Sequence, residues 1–130
     1  MKTSKYIVSS IIAITLFACS TKEAKKEKEI IPKTTTKVEN GIATSTFKVW
    51  GNCEMCKETI ESSIKVDGIS KADWNTESKI MTVSYDTAKI KLDKIQENIA
   101  AVGYDNVAFK GVDKQYQSLH ECCQYERKKN

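Results

Sequence analysis

Cys53 and Cys56 are the residues whose type and spacing most directly imply chemistry. They lie three apart, after a strand-like run at 46–50 and at the start of a helix-like run at 55–66. The first N–H groups of a helix lack intrahelical partners and the helix dipole is positive there, so both effects favour thiolate over thiol. Two thiolates at this spacing can bind one soft metal ion. The alternative is a structural disulfide or a redox couple.

A second group of soft or borderline ligands lies near the C-terminus, where His120, Cys122 and Cys123 fall within four residues. From 111 to 122 an extended chain spans about 35–40 Å and a helix only about 18 Å, so an extended or mixed tail can reach the first pair. The combined ligands would suit a structural zinc or a retained copper better than a transfer site. The alternatives are a disulfide or free thiols in a mobile tail, and Arg127 is interpreted as part of a solvated end.

Composition and charge limit the function classes. The chain has 130 residues, 29% charged and 40% hydrophobic, which fits one small globular domain with appendages. The net charge of +4 falls to +2 without Lys2 and Lys5 (19 basic against 17 acidic residues), too small a surplus to favour a nucleic-acid partner. Hydrolytic catalysis has little support, because the single histidine, His120, has no convergent carboxylate pair.

Residues 1–18 have the form of a secretory signal peptide, with two lysines before an apolar run that is too short to cross a bilayer. Leu16-Phe17-Ala18-Cys19 resembles the lipobox of bacterial lipoproteins, which implies that Cys19 is lipidated and becomes the first residue of the mature chain. By the same resemblance, Ser20 points to the periplasmic side of the outer membrane of a bacterial cell envelope. The alternative is an ordinary cleavable signal with a chance cysteine.

The rest of the chain divides into three parts. Residues 19–44 are rich in Lys, Glu and Thr, lack an apolar period and predict a flexible tether. Residues 45–111 predict a globular domain, and residues 112–130 form the Cys/His-containing tail. Apolar periodicity within the domain predicts the order βαββαβ, with strands at 46–50, 69–74, 80–85 and 106–110 and helices at 55–66 and 92–102.

The domain resembles the heavy-metal-associated domain, a family that includes copper chaperones, N-terminal modules of metal-pumping P-type ATPases and the periplasmic mercury-binding protein. The resemblance covers about 46–109 and rests on the cysteine pair and on two further motifs, Asp67-Gly68-Ile69-Ser70-Lys71-Ala72 and Ala101-Val102-Gly103-Tyr104-Asp105. It implies an α+β fold, a ferredoxin-like βαββαβ open-faced sandwich with an antiparallel sheet. It also implies that Cys53 and Cys56 bind Cu(I) or another soft ion.

The loop before the first cysteine departs from the family pattern. The family usually has Gly-Met-Thr there, whereas Gly51-Asn52 precede Cys53 here. Met55 does not occupy the place of the family methionine, and we interpret it as a packing residue rather than a thioether ligand. The altered loop leaves the choice among Cu(I), Hg(II) and Zn(II) open. Tyr104 falls where the family places a residue against the metal loop, so it either shields the ion or caps the core.

These patterns predict a lipid-anchored envelope protein that binds a soft ion, with Cu(I) expected first, for scavenging or for transfer to a partner. The resemblance implies a metal-transporting ATPase or an efflux component as that partner, and no enzymatic activity. A thiol–disulfide oxidoreductase is the alternative from another class. The sole proline, Pro32, lies in the predicted tether, so the cis-proline that typically faces such a redox pair is missing.

Overall fold

The computed structural model describes residues 34–127, in which four antiparallel strands form one sheet in the order β1-β2-β4-β3. The strands are β1 (Thr35–Glu39), β2 (Ile42–Lys48), β3 (Ile69–Trp74) and β4 (Ile80–Asp86). The helices are α1 (Glu54–Ser63), α2 (Leu92–Ala101) and α3 (Asp113–Ser118), and a 3₁₀ turn follows at Glu121–Cys123. Among the described residues, no helix has the length and apolar character needed to cross a membrane.

The core lies between one face of the sheet and the helices. Side chains alternate along β2 and β4, so that every second residue turns inward. On α1 and α2 the buried residues recur at helical spacing. The buried apolar residues include Phe47, Val49, Ile60, Ile64, Met81, Val83, Ile95 and Ile99. The predicted α+β class, a ferredoxin-like antiparallel open-faced sandwich, is confirmed.

The sheet begins ten residues earlier than the sequence interpretation placed the domain. Residues 35–44 of the predicted tether form β1 and the start of β2, which pair as a hairpin. Asn40 and Gly41 connect the strands with positive φ angles of 50° and 81°, the backbone of a tight two-residue hairpin turn. The rest of the predicted tether (19–33), the signal peptide (1–18) and Cys19 lie outside the described residues.

The predicted fourth strand, 106–110, is replaced by a turn. Asn106 pairs with Val49 in an isolated bridge, but its backbone N–H then bonds the Phe109 carbonyl at 2.8 Å. The Asn106 side-chain oxygen accepts the N–H groups of Ala108 and Phe109, both at 3.0 Å, which reverses the chain. The sheet edge beside β2 is covered by β1 instead. Consequently Gly111 stays near the end of α2 rather than crossing to the far end of the domain.

Candidate metal centre

The start of α1 positions the first cysteine pair. Cys53 is the N-cap of the helix in extended conformation, and Cys56 is its third helical residue. The two residues form a reciprocal capping box, in which the Cys53 sulfur accepts the Cys56 N–H and the Cys53 N–H donates to the Cys56 sulfur at 3.5 Å. The Asn52 N–H adds a bond to the Cys56 sulfur at 3.3 Å. Thiols thus take the place that Ser and Glu occupy in an ordinary capping box, where backbone donors stabilise negative charge.

The C-terminal tail brings the second cysteine pair to the first. The Cys53 Sγ lies 3.4 Å from that of Cys56, 3.7 Å from that of Cys122 and 3.6 Å from that of Cys123. The Sγ atoms of Cys122 and Cys123 are 3.9 Å apart. All four residues are free cysteines. The Cys53 sulfur therefore contacts the other three thiols, which come from two parts of the chain about seventy residues apart.

Close backbone packing seats the start of the tail. Gly111 lies so near Gly103 that a Cβ added to it would stand 2.5 Å from the Gly103 carbonyl carbon. Gly103, with φ +97°, in turn approaches the backbone of Tyr116 on α3, where an added Cβ would stand 2.7 Å from the backbone nitrogen. Only glycine fits such approaches, so these two residues let the tail pass directly over the end of α2.

Aromatic packing and a buried ion pair secure the end of the tail. Tyr125 is 3% exposed, stacks on Tyr104 with ring centroids 6.0 Å apart, and its hydroxyl donates to the Gly103 carbonyl at 3.1 Å. The Arg127 guanidinium binds both carboxylate oxygens of Asp105, at 2.5 and 3.1 Å, and lies 4.6 Å from the Tyr116 ring centroid. The interpretation of Arg127 as a solvated end is therefore wrong. These contacts dock the tail on the domain.

Burial differs sharply among the four thiols. Cys56 is fully buried and Cys123 is 3% exposed, whereas Cys53 is half-buried and Cys122 is exposed. The Cys56 side chain belongs to the hydrophobic core. The site has a buried side and a solvent side, and Cys53 stands between them.

The surroundings of Cys53 favour its thiolate. Burial works to raise the pKa of this thiol, but hydrogen bonds from the Cys56 N–H and from the thiols of Cys56, Cys123 and Cys122 outweigh it, so the pKa falls from 9.0 to about 7. Burial raises the pKa of the Cys123 thiol, and its hydrogen bonds with the Cys56 and Cys53 sulfurs raise it further. The pKa of Cys122 is also raised, first by its contact with the Cys53 sulfur and then by burial. Cys53 is thus the thiol with a lowered pKa in a group where the pKa values of Cys122 and Cys123 are raised.

Tyr104 contributes an unused donor to the buried side of the site. Its ring is fully buried, and within residues 34–127 its hydroxyl has no hydrogen-bond partner of ordinary geometry. Burial raises the pKa of this hydroxyl, and the thiols of Cys56 and Cys123 beside it raise it further. A buried hydroxyl without a partner costs about 1–3 kcal/mol. Metal binding turns neighbouring thiols into thiolates, which are the acceptor that this group lacks.

The sulfur spacing fits three-coordinate binding of a soft ion by Cys53, Cys56 and Cys123. With metal–sulfur bonds of about 2.3 Å, neighbouring sulfurs stand about 3.8 Å apart in a tetrahedral site, about 4.0 Å in a trigonal one and about 4.6 Å in a linear one. The four measured separations run from 3.4 to 3.9 Å. The Sγ atoms of Cys53, Cys56 and Cys123 lie within 4.8 Å of one another. The donor set therefore suits a soft ion without backbone rearrangement.

The structure gathers every predicted ligand in the described part of the chain: Cys53, Cys56, His120, Cys122 and Cys123. Met55, which the sequence analysis interpreted as a packing residue, is 48% exposed, and its Sδ lies 3.8 Å from the Cys122 Sγ. His120 Nδ1 lies 3.3 Å from the same Cys122 sulfur.

An antiparallel open-faced sandwich with soft ligands at the start of its first helix defines a small metal-binding domain. The profile of the heavy-metal-associated domain matches residues 46–105. The copper chaperone CopZ of Staphylococcus aureus (strain JH9) is 35% identical over 57 residues, which make up 43% of this chain and 84% of that protein. The chain belongs to the heavy-metal-associated domain family.

Two solved structures are also similar to part of this chain. A CopZ metallochaperone is 33% identical, with a TM-score of 0.48, over 49% of this chain and 98% of that one. Oxidized MerP from Ralstonia metallidurans CH34 is 34% identical, with a TM-score of 0.48, over 50% of this chain and 93% of that one. The family match ends at residue 105, so Cys122 and Cys123 are additions to the family domain.

Proposed function

We propose that the protein binds a soft heavy-metal ion through Cys53, Cys56 and Cys123 of the tail, and that it retains this ion rather than exchanging it rapidly. The contact of the Cys53 sulfur with the free thiols of Cys56 and Cys123, at 3.4 and 3.6 Å, carries the proposal. Cu(I) is the expected ion, in keeping with the similarity to the copper chaperone CopZ. Hg(II) and Zn(II) share the preference for thiolate and remain the alternatives to test.

Retention follows from the number and burial of the thiols. Two thiolates suffice for a transferring Cu(I) site, because the ion stays open to a third ligand from a partner. Here Cys123 supplies that third ligand from within the chain, and it is 3% exposed. A competing thiol therefore reaches the ion fully only after the tail has moved. The protein accordingly acts as a binding protein and a scavenger, and delivery to a metal-transporting ATPase or efflux component requires a ligand of the partner to displace one of the chain's own thiolates.

A role as a metal store in the cell envelope extends the proposal to the N-terminus. Lipidation of Cys19 would hold the domain at a membrane surface, with the outer membrane favoured by the residue that follows. Changing Cys19→Ser should release the protein into the soluble envelope fraction. Persistence of the variant in washed membranes would contradict the anchor and leave the metal site untouched.

A chelator competition tests the metal proposal. The reduced full chain, purified in detergent, is titrated with Cu(I), Hg(II) and Zn(II) against a chromogenic chelator without oxygen. Cys53→Ser and Cys56→Ser should each lower Cu(I) affinity by at least about tenfold, since each removes a charged ligand. Lys94→Gln, which changes an exposed ion pair with Glu97 on α2, is the control and should match the wild type.

The same experiment separates metal binding from redox chemistry. Unchanged Cu(I) affinity in both serine variants would refute the metal site. If the reduced chain bound no metal but exchanged disulfides with a dithiol, the thiolate of Cys53 would instead serve thiol–disulfide chemistry.

A further inference from the structure

We propose that Met55, His120 and Cys122 form a second, solvent-facing site for a monovalent soft ion such as Cu(I), beside the buried thiolate site. This inference rests on the proposed function, because the outer site would load the inner one. Cys122 is the centre of the outer group, with the His120 Nδ1 at 3.3 Å and the Met55 Sδ at 3.8 Å from its sulfur.

The separations agree with shared coordination. With metal–sulfur bonds of about 2.3 Å and metal–nitrogen bonds of about 2.05 Å, sulfur and nitrogen ligands stand about 3.6–3.8 Å apart and two sulfurs about 3.8–4.0 Å apart. The measured 3.3 and 3.8 Å are within a few tenths of these values. A thiolate, a thioether and an imidazole are all ligands that Cu(I) accepts.

Local structure holds the three ligands on the solvent side. Met55 is the second residue of α1, and its large apolar side chain is 48% exposed beside the exposed Cys122. His120 is the N-cap of the 3₁₀ turn, and its carbonyl accepts the Cys123 N–H at 2.7 Å. This turn points Cys122 outward to Met55 and His120 while Cys123 points inward. Adjacent cysteines therefore face different sites.

The two sites differ in ligand strength and share a contact. The inner site offers three thiols, those of Cys53, Cys56 and Cys123, whereas the outer site offers one. The outer site should thus bind more weakly and exchange faster. The Cys53 sulfur lies 3.7 Å from that of Cys122, so an ion can pass inward by substitution. A Cu–S bond to Cys53 forms as the bond to Cys122 breaks. Copper stays Cu(I), Cys53 enters as the thiolate, the other inner thiols lose protons to water as they bind, and Cys122 regains one.

Stoichiometry tests the proposal on the reduced full chain in detergent, titrated with Cu(I) and read by native mass spectrometry with chelator competition. The wild type should bind two ions per chain, the second more weakly. Cys122→Ser should bind one, with the affinity for the first changed less than about threefold. Met55→Leu, which conserves volume, and His120→Gln should each weaken only the second ion by about tenfold or more. Val66→Leu, an exposed apolar control beyond the end of α1, should leave both ions unchanged.

The outcomes distinguish failure of the outer site from failure of the proposed metal-binding function. Cys123→Ser should weaken the first ion by about tenfold or more, in contrast to Cys122→Ser. One ion per wild-type chain at saturation overturns the outer site while the inner site stands. An equal loss of first-ion affinity in the Cys122 and Cys123 variants also overturns it, because the four thiols then act as one site. No bound ion at all refutes the proposed function itself.

Discussion

Arg127→Gln tests whether the tail is a docked lid on the buried thiols. The substitution removes the charge that faces Asp105, and the two side chains are only 15% and 14% exposed. Asp105 would keep one strong bond, from the Gly111 N–H at 2.7 Å. Arg127 would also lose its bond to Asp113 at 2.6 Å and its contact with the Tyr116 ring.

The expected cost is about 2–3 kcal/mol. Hydrogen bonds to charged groups contribute about 1.5–3 kcal/mol, and breaking a fully buried pair costs about 3–5 kcal/mol. Because the Arg127–Asp105 pair is slightly exposed, water can solvate the carboxylate that is left, so the expected cost lies below that of a fully buried pair. At about 1.4 kcal/mol per factor of ten, the population of the undocked tail should rise by about 30- to 150-fold.

Alkylation of Cys123 measures that population. In metal-free reduced protein this thiol is 3% exposed and reacts with iodoacetamide only when the tail opens, so its rate should rise by the same factor. Arg127→Lys should give an intermediate rate, because a point charge replaces a planar fork. Lys94→Gln, at an exposed ion pair, should stay within about twofold of the wild type. An unchanged Cys123 rate in Arg127→Gln would refute the docking role of this arginine.

Three other predictions concern the site itself. Cys56→Ser should lower the free energy of unfolding in urea by about 1–2 kcal/mol while Cys53→Ser changes it by less than about 0.5, because only the Cys56 side chain is fully buried; equal losses would contradict this. Tyr104→Phe should leave the metal-free protein as stable or more stable but weaken Cu(I) binding by about three- to tenfold, as measured by chelator competition; unaltered affinity would mean that the hydroxyl meets no thiolate. Alkylation of Cys53 against pH should have its midpoint near 7, and the midpoint should rise in a Cys122→Ser, Cys123→Ser double variant that lacks two of its donors. By linkage, the stability that this thiol contributes is fully present above pH 9 and is lost as pH falls through 7.

The helical and central strand patterns were readable in the sequence because burial follows a simple period there. The spacing of Cys56, Ile60 and Ile64 and the alternation of Met81, Val83 and Tyr85 correspond to residues that the structure buries. The sequence also placed the cysteine pair at the start of a helix, where the structure has α1. Where the apolar period of the sequence follows burial, the local pattern is enough to predict a helix or strand.

The edge strand β1 and the turn at 106–110 were not readable in this way. All five residues of β1 are exposed, so it carries no apolar period, and the Asn40-Gly41 turn signal was hidden in a polar segment. In the run 106–110, the Asn106 side chain accepts hydrogen bonds from nearby backbone N–H groups. These bonds turn the chain back where the sequence pattern predicted a strand.

The tail illustrates a different limit. Spacing indicated His120, Cys122 and Cys123 as candidate ligands, but nothing local indicated the approach of Gly111 to Gly103 or the pairing of Arg127 with Asp105. Contacts between distant segments depend on the completed fold, and here the missing fourth strand is what lets the tail begin beside the site.

The direction of β1 determines at which end of the sheet the chain enters the domain. Thr35 pairs with Thr46 and Glu39 with Ile42, so the chain enters at the end where β2 leads into Cys53. The hairpin turn at Gly41 and the loop at Asp86 lie at the opposite end, where Thr87 bonds the Gly41 carbonyl. A domain held from its N-terminus is therefore held at the end that carries the thiols, and the hairpin turn lies at the far end. The anchor proposed at Cys19 would thus attach to the domain beside its sulfurs.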